Sequence, residues 1–188
     1  AAEHGKDVML HLPMEPTNAA IRLEPNTILT TMTDDAIREA TREQLESLPG
    51  VVGVNNHMGS KATEDARVMG AVLDAVEDAG LFFLDSRTSR NTVAEDVARE
   101  RGMLTGRRNV FIDNVKDSAS VVERIREVAR IADRDGSAIA IGHDRDQTHV
   151  SMVRMLPGLE RAGYRTTRAR ALMRCPALVP APPVQFPT

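Results

Sequence analysis

The chain is poor in aromatic side chains. Only 3% of its 188 residues are Phe, Tyr or Trp, and Trp is absent. Stacking platforms for sugars or bases are therefore scarce, which counts against a module that does nothing but bind carbohydrate. A single cysteine, Cys175, excludes an internal disulfide and a thiolate metal cluster, so any metal must rest on His and carboxylate. There is no basic surplus: the net charge is -3, the pI is near 6.0, and Lys and Arg are scattered among acids. Nucleic acid is not an expected partner. No apolar run reaches the roughly 20 residues that span a bilayer, so no membrane span is expected within the chain. No secretory signal is visible. The first residues, Ala-Ala-Glu-His-Gly-Lys, read like the end of a helix and its cap, so an upstream part is expected to be missing. No glycine-rich phosphate loop follows any apolar run, which leaves a dinucleotide fold without support.

What is present is a core and an alternating pattern. Hydrophobic residues make up 41% of the chain, enough for one sizeable domain. Strand-like runs start near 8, 51, 81, 109 and 138, with a weaker one near 164. Between them lie amphipathic helices. Thr33 is the expected N-cap of one reaching about Leu48, with Asp34 and Asp35 at its positive end. Thr63 is the expected cap of the next, whose apolar face carries Val68, Met69, Val72, Leu73 and Val76. A shorter helix is predicted from Thr92 to Arg101. Ser118 opens another, with Val121, Val122, Ile125, Val128, Ala129 and Ala132 inward. Thr148 is the expected cap of a last helix that Pro157 interrupts. This alternation predicts βα units and a parallel sheet, either an open doubly wound sheet or most of a barrel. The domain is expected over 1–172. The segment 173–188 reads as a proline-rich tail, since five of the ten prolines lie between Pro176 and Pro187.

The predicted strands run into polar residues. In a parallel α/β fold all C-terminal strand ends meet at one face, where ligands bind. Val8-Met9-Leu10 runs into His11, and Pro13 and Pro16 force an irregular turn after it. Val51 to Val54 runs into Asn55-Asn56-His57-Met58-Gly59-Ser60, a polar, turn-forming stretch whose amides can orient a ligand. An ordinary strand-to-helix loop would use fewer such groups. Leu81 to Leu84 runs into Asp85, with Arg87 placed to bind an oxyanion. A structural Asp–Arg pair is the plain alternative there. Val110 to Ile112 runs into Asp113 and Asn114, where helix capping competes with a binding role. Ala138 to Gly142 runs into His143 and the nearby acids Asp144 and Asp146. Two histidines and a carboxylate suffice for a catalytic zinc or similar ion, which lowers the pKa of bound water and polarises a carbonyl. A further histidine can protonate a leaving group. That set of parts suits hydrolysis of an amide or ester.

His11-Leu-Pro-Met-Glu-Pro, Gly53-Val-Asn-Asn-His-Met-Gly-Ser, Phe83-Leu-Asp-Ser-Arg-Thr-Ser, Val110-Phe-Ile-Asp-Asn and Ala140-Ile-Gly-His stand in one order over about 5–170. In these motifs the chain resembles the divergent polysaccharide deacetylases, an offshoot of the NodB-type carbohydrate deacetylase superfamily. The resemblance implies a distorted (β/α) barrel. It also implies metal-dependent removal of N- or O-acetyl groups from a polysaccharide or peptidoglycan-like glycan, in the periplasm or cell envelope. It makes His11 and His57 the candidate ligands of a divalent ion such as zinc, and His143 the late catalytic acid. Asp85 becomes a supporting carboxylate, with Asn55, Asn56, Ser60, Arg87 and Asp113 around the substrate. The family's first strand ends in an Asp-Asp pair, and no such strand precedes His11 here. The superfamily's two histidines on one turn are also absent. A degenerate barrel that binds glycan or a partner protein without turnover is therefore a second reading. A metal-independent enzyme using His143 and Asp85 is a third.

Overall fold

The computed structural model describes residues 4–174; Cys175 and the proline-rich stretch from Pro176 lie outside them. The elements follow as β1 (Met9–Met14), α1 (Asp34–Glu46), β2 (Gly53–Met58), α2 (Ala66–Asp78), β3 (Phe82–Asp85) and α3 (Ala94–Glu100). Then come β4 (Thr105–Arg107), β5 (Val110–Phe111), α4 (Ser118–Asp135), β6 (Ala140–Ile141) and α5 (Asp146–Arg161). Every named strand pairing is parallel, in one sheet of order β1-β2-β3-β4 and a ribbon of β5-β6. The two are stitched together where Arg108 N donates to Asp85 O and Asn109 N to Ile139 O. The fold is thus α/β with parallel strands, consistent with a distorted barrel.

Side chains alternate across the strands with a period of two. Leu10, Leu12, Met14, Val54 and Phe83 face the helices and pack against Val68, Met69, Val72, Leu73 and Val76 of α2. The opposite, inner face carries Met9, Phe82, Leu84, Ile139 and Ile141, closed below by Met173. Gly53 belongs to the inner row, and a Cβ there would lie 2.6 Å from the Phe82 ring. Gly53→Ala is accordingly expected to destabilise the protein by about 1–3 kcal/mol through overpacking. A urea titration checks this; an unchanged midpoint would mean that the ring swings aside freely.

Several expectations are corrected. β4 was not anticipated, because Thr-Gly-Arg contains no apolar run. Gly106 sits there because a Cβ would come 3.0 Å from Met173 Cε. The weaker run near 164 forms no strand. Asp65, not Thr63, caps α2, accepting from Arg67 N and Val68 N. Thr63 is buried in a 3-10 turn and donates to Gly59 O instead. Thr148 lies inside α5 rather than at its cap, and Pro157 is accommodated within that helix on its exposed side. Water there can take over the lost backbone bond. On α4 only Val121 and Ile125 are buried; Val122, Val128, Ala129 and Ala132 are half-buried. Among the described residues no helix is long and apolar enough to cross a membrane.

Candidate active site

The inner rows of β1, β2 and β6 continue upward into an imidazole or amide. Met9 is followed two residues on by His11, Gly53 by Asn55 and His57, and Ile139 and Ile141 by His143. The β1–β2 register sets His11 opposite Asn55 and Pro13 opposite His57. β1 does not stop at His11 but runs on through Pro13, whose missing N–H falls on the strand edge, where proline is tolerated. His11 Nε2 and His57 Nδ1 then face each other at 2.9 Å, with the rings nearly perpendicular and their centroids 4.7 Å apart.

Neighbours set the protonation of that pair. Asn55 turns its amide nitrogen to Ser86 Oγ at 3.1 Å and offers its oxygen to His11 Nδ1, also at 3.1 Å. His11 Nδ1 therefore carries a proton and Nε2 is bare. Glu24 Oε1 stands 3.3 Å from His57 Nε2, within ion-pair reach. The alignment falls short of a hydrogen bond, so this buried nitrogen has no other partner. A proton on His57 Nε2 would face the Glu24 carboxylate, and one on Nδ1 would donate to the bare His11 Nε2 at 2.9 Å. Burial holds His11 below the ordinary histidine pKa, reinforced by His57 and His143 and opposed by Asn55 and Glu24. In the first tautomer two lone pairs point at one another, an arrangement that a cation relieves. Glu24→Gln is expected to let His57 exchange tautomers, seen as a change in its ring-nitrogen shifts by NMR while His11 stays as it was. Identical spectra would remove Glu24 from this role.

The donor chemistry suits a divalent ion, since ligating histidines commonly have their second nitrogen held by a carboxylate or amide. The count falls short. A catalytic zinc takes three protein ligands, and among the described residues no three His, Cys, Asp or Glu side chains form such a group. A third ligand would have to come from outside residues 4–174.

His143 has a different setting. Its ring Nδ1 meets Asp113 Oδ1 at 3.1 Å, and its backbone N–H donates to Asp113 Oδ2 at 2.8 Å. Thr148 donates to the same oxygen at 2.9 Å, and Arg145 to the Asp113 carbonyl at 2.6 Å. Asp113 is 1% exposed. Burial alone would raise its pKa, but the His143 N–H, the Thr148 hydroxyl and the His143 ring together bring it below the ordinary value. Phe111 lies against the His143 ring, with centroids 5.2 Å apart.

The remaining candidates divide. Asp85 faces the helices, away from the imidazoles, and is 1% exposed. It accepts from Arg87 N and the Thr92 hydroxyl, and burial raises its pKa. Asn56 is buried and laces the turn together, accepting from Ser86 N and donating to Met58 O and Thr88 Oγ1. Ser60 Oγ accepts from Thr17 N and ties down the connection between β1 and α1. The sharp turn after β2 is made by Met58 and Gly59, at φ 52 and 84, not by the asparagines. Arg87 is also left-handed, at φ 49. Arg108, Phe111, Ser86 and Glu24 were not singled out from the sequence. Each acts through a neighbour distant in the chain, for which no local pattern exists.

The divergent polysaccharide deacetylase family matches residues 1–173. An uncharacterized protein of Escherichia coli K12, YibQ, is 38% identical over 156 residues, covering 83% of this chain and 47% of its own. An uncharacterized protein of Haemophilus influenzae Rd is 34% identical over 148 residues, covering 79% and 52%. The chain thus spans about half the length of these relatives. A crystal structure of an uncharacterized protein from Agrobacterium tumefaciens C58 superimposes with a TM-score of 0.87 at 21% identity. It covers 91% of this chain and 70% of that one, and shows the same fold. With the ordered motifs now placed on the strands of a parallel sheet, the chain belongs to the divergent polysaccharide deacetylase family.

Proposed function

We propose that the protein removes acetyl groups from a cell-envelope glycan by hydrolysis of an amide or ester. The observation that carries this reading is the inner row itself. Facing ring nitrogens of His11 and His57 stand at the C-terminal ends of β1 and β2, and His143, held by a buried carboxylate at the end of β6, is close enough to act on His11 electrostatically. His11 and His57 would hold a divalent ion such as zinc, which, when bound, polarises the acetyl carbonyl and lowers the pKa of water. Asp113 fixes His143 with Nδ1 protonated, so Nε2 is the atom that exchanges protons with the substrate. As water adds to the carbonyl, His143 Nε2 takes its proton; as the carbonyl carbon parts from its nitrogen or oxygen, His143 delivers that proton to the leaving atom, and acetate departs. Asn55 keeps His11 in one tautomer throughout.

The test is acetate release from acetylated chitin-type and peptidoglycan-type oligomers by the full-length protein, with added zinc or cobalt and with a chelator. Release that the chelator abolishes is expected. No release under any metal condition overturns the reading, and release that survives the chelator transfers it to His143 acting without metal. Family membership also motivates an envelope location, which cell fractionation checks. A second reading, glycan binding without turnover, is favoured by the incomplete ligand set among the described residues. It predicts glycan affinity that a chelator leaves unchanged.

A further inference from the structure

Two arginines at the mouth have no counter-ion among the described residues. The other half-buried arginines among the described residues, Arg38, Arg101 and Arg145, each have a carboxylate within ion-pair distance. Arg87 and Arg108 are half-buried and have none. A desolvated guanidinium left so is costly unless something pairs with it. Elsewhere this protein meets that cost with an acid.

Arg108 is held in a fixed pose. Its Nε donates to Ser86 O and an Nη to Arg87 O, both at 2.6 Å, and its guanidinium lies 5.3 Å from the centre of the Phe111 ring. Of the five N–H donors of a guanidinium, those bonds use two. The other side of the site is near, because the Phe111 ring also packs against His143. Arg87 rises from the same turn, its N–H on Asp85 and its carbonyl under the Arg108 fork. Burial and the like charge of Arg87 lower the Arg108 pKa, and Asp85 opposes this from beyond ion-pair distance. Arg108 is thus held at the strand ends within electrostatic reach of Arg87, and it shares the Phe111 ring with the candidate proton donor.

We propose that Arg87 and Arg108 form a subsite for a carboxylate carried on the glycan, seated beside the sugar whose acetyl group reaches His143. The inference rests on reading the mouth as a glycan site and adds the substrate class, an acidic rather than a neutral polysaccharide. Planar guanidinium groups recognise carboxylates through paired N–H bonds, and a guanidinium already held, as Arg108 is, loses little freedom in doing so.

The experiment is equilibrium binding of the full-length protein to three acetylated oligosaccharides of equal length: one with a uronic carboxylate, one with a lactyl-ether carboxylate, and a neutral one. Free acetate and inorganic phosphate serve as further probes. One or both acidic oligomers should bind about tenfold more tightly than the neutral one, with the advantage shrinking as salt rises. Arg87→Asn should remove most of that advantage and Arg87→Lys should keep part of it; asparagine is chosen because it tolerates the left-handed backbone. Urea midpoints for both variants exclude unfolding as the cause. Equal affinity for acidic and neutral oligomers overturns the proposal, as does an advantage that survives Arg87→Asn. Free acetate or phosphate binding as tightly as the acidic oligomers also overturns it, since the site would then be a general anion trap. Acid preference without acetate release from any oligomer would sink the hydrolase reading but not this subsite. Equal release from and affinity for acidic and neutral oligomers would do the reverse.

Discussion

His57→Ala should lower acetate release from an acetylated oligosaccharide by about a thousandfold or more, and should weaken zinc binding by at least about a hundredfold. Donor count decides the size of the effect. His57 Nδ1 faces His11 Nε2 at 2.9 Å, and removing either imidazole halves the donors that the described residues offer. His57 is half-buried and does not belong to either apolar cluster. The variant should therefore fold, with a urea midpoint close to that of the parent. Isothermal titration with zinc and a discontinuous acetate assay on the same sample make the comparison. If zinc affinity persists without His57, the pair is not a ligand site. If zinc affinity falls and acetate release does not, hydrolysis does not depend on the ion.

Asp113→Asn should reduce kcat by roughly 10²–10⁴-fold while leaving KM within a few-fold. An amide of the same shape can still meet the His143 ring. It no longer favours the proton on Nδ1, and it cannot stabilise the imidazolium that forms during proton exchange. The change also bears on stability. The folded Asp113 pKa lies below its ordinary 3.8, so the carboxylate contributes stability that is present above that value. This contribution is lost as pH falls through the lower, folded pKa. Asp113→Asn should therefore be less stable at neutral pH by about 1–3 kcal/mol. The difference between the two proteins should shrink in strong acid. Urea titrations at neutral and acidic pH provide the measure, and a constant difference would place the carboxylate's contribution elsewhere.

The strands were legible wherever an apolar run ended in a polar residue, because burial on both faces writes a continuous hydrophobic signature. β4 escaped, since Thr105, Gly106 and Arg107 owe their pairing to Phe83–Asp85 beside them and not to their own character. The approach of His11 and His57 was legible too, from strand direction alone, while His143 follows the separate β5–β6 ribbon. What each side chain does there was less so. Asp85 and Asp113 look alike in sequence, each directly after an apolar run. One turns to the helices and is spent on a turn, while the other anchors His143. Their difference depends on strand parity and on which segment supplies a hydroxyl, Thr92 in the loop before α3 for one and Thr148 of α5 for the other. Glu24 and Arg108 were invisible for the same reason, because their partners are brought near only by folding.

The β1–β2 register has a consequence for how such chains tolerate change. Because alternate residues of a strand look to opposite sides, sliding β1 by a single position would send His11 among the aliphatic side chains of α1 and α2 and turn Leu10 toward the solvent-filled opening. Insertions or deletions should therefore accumulate in the exposed stretch 17–22, ahead of Glu24 and its reach to His57. They should be purged from Met9–Met14 and Gly53–Met58, where one extra residue would cost both cohesion and chemistry at once.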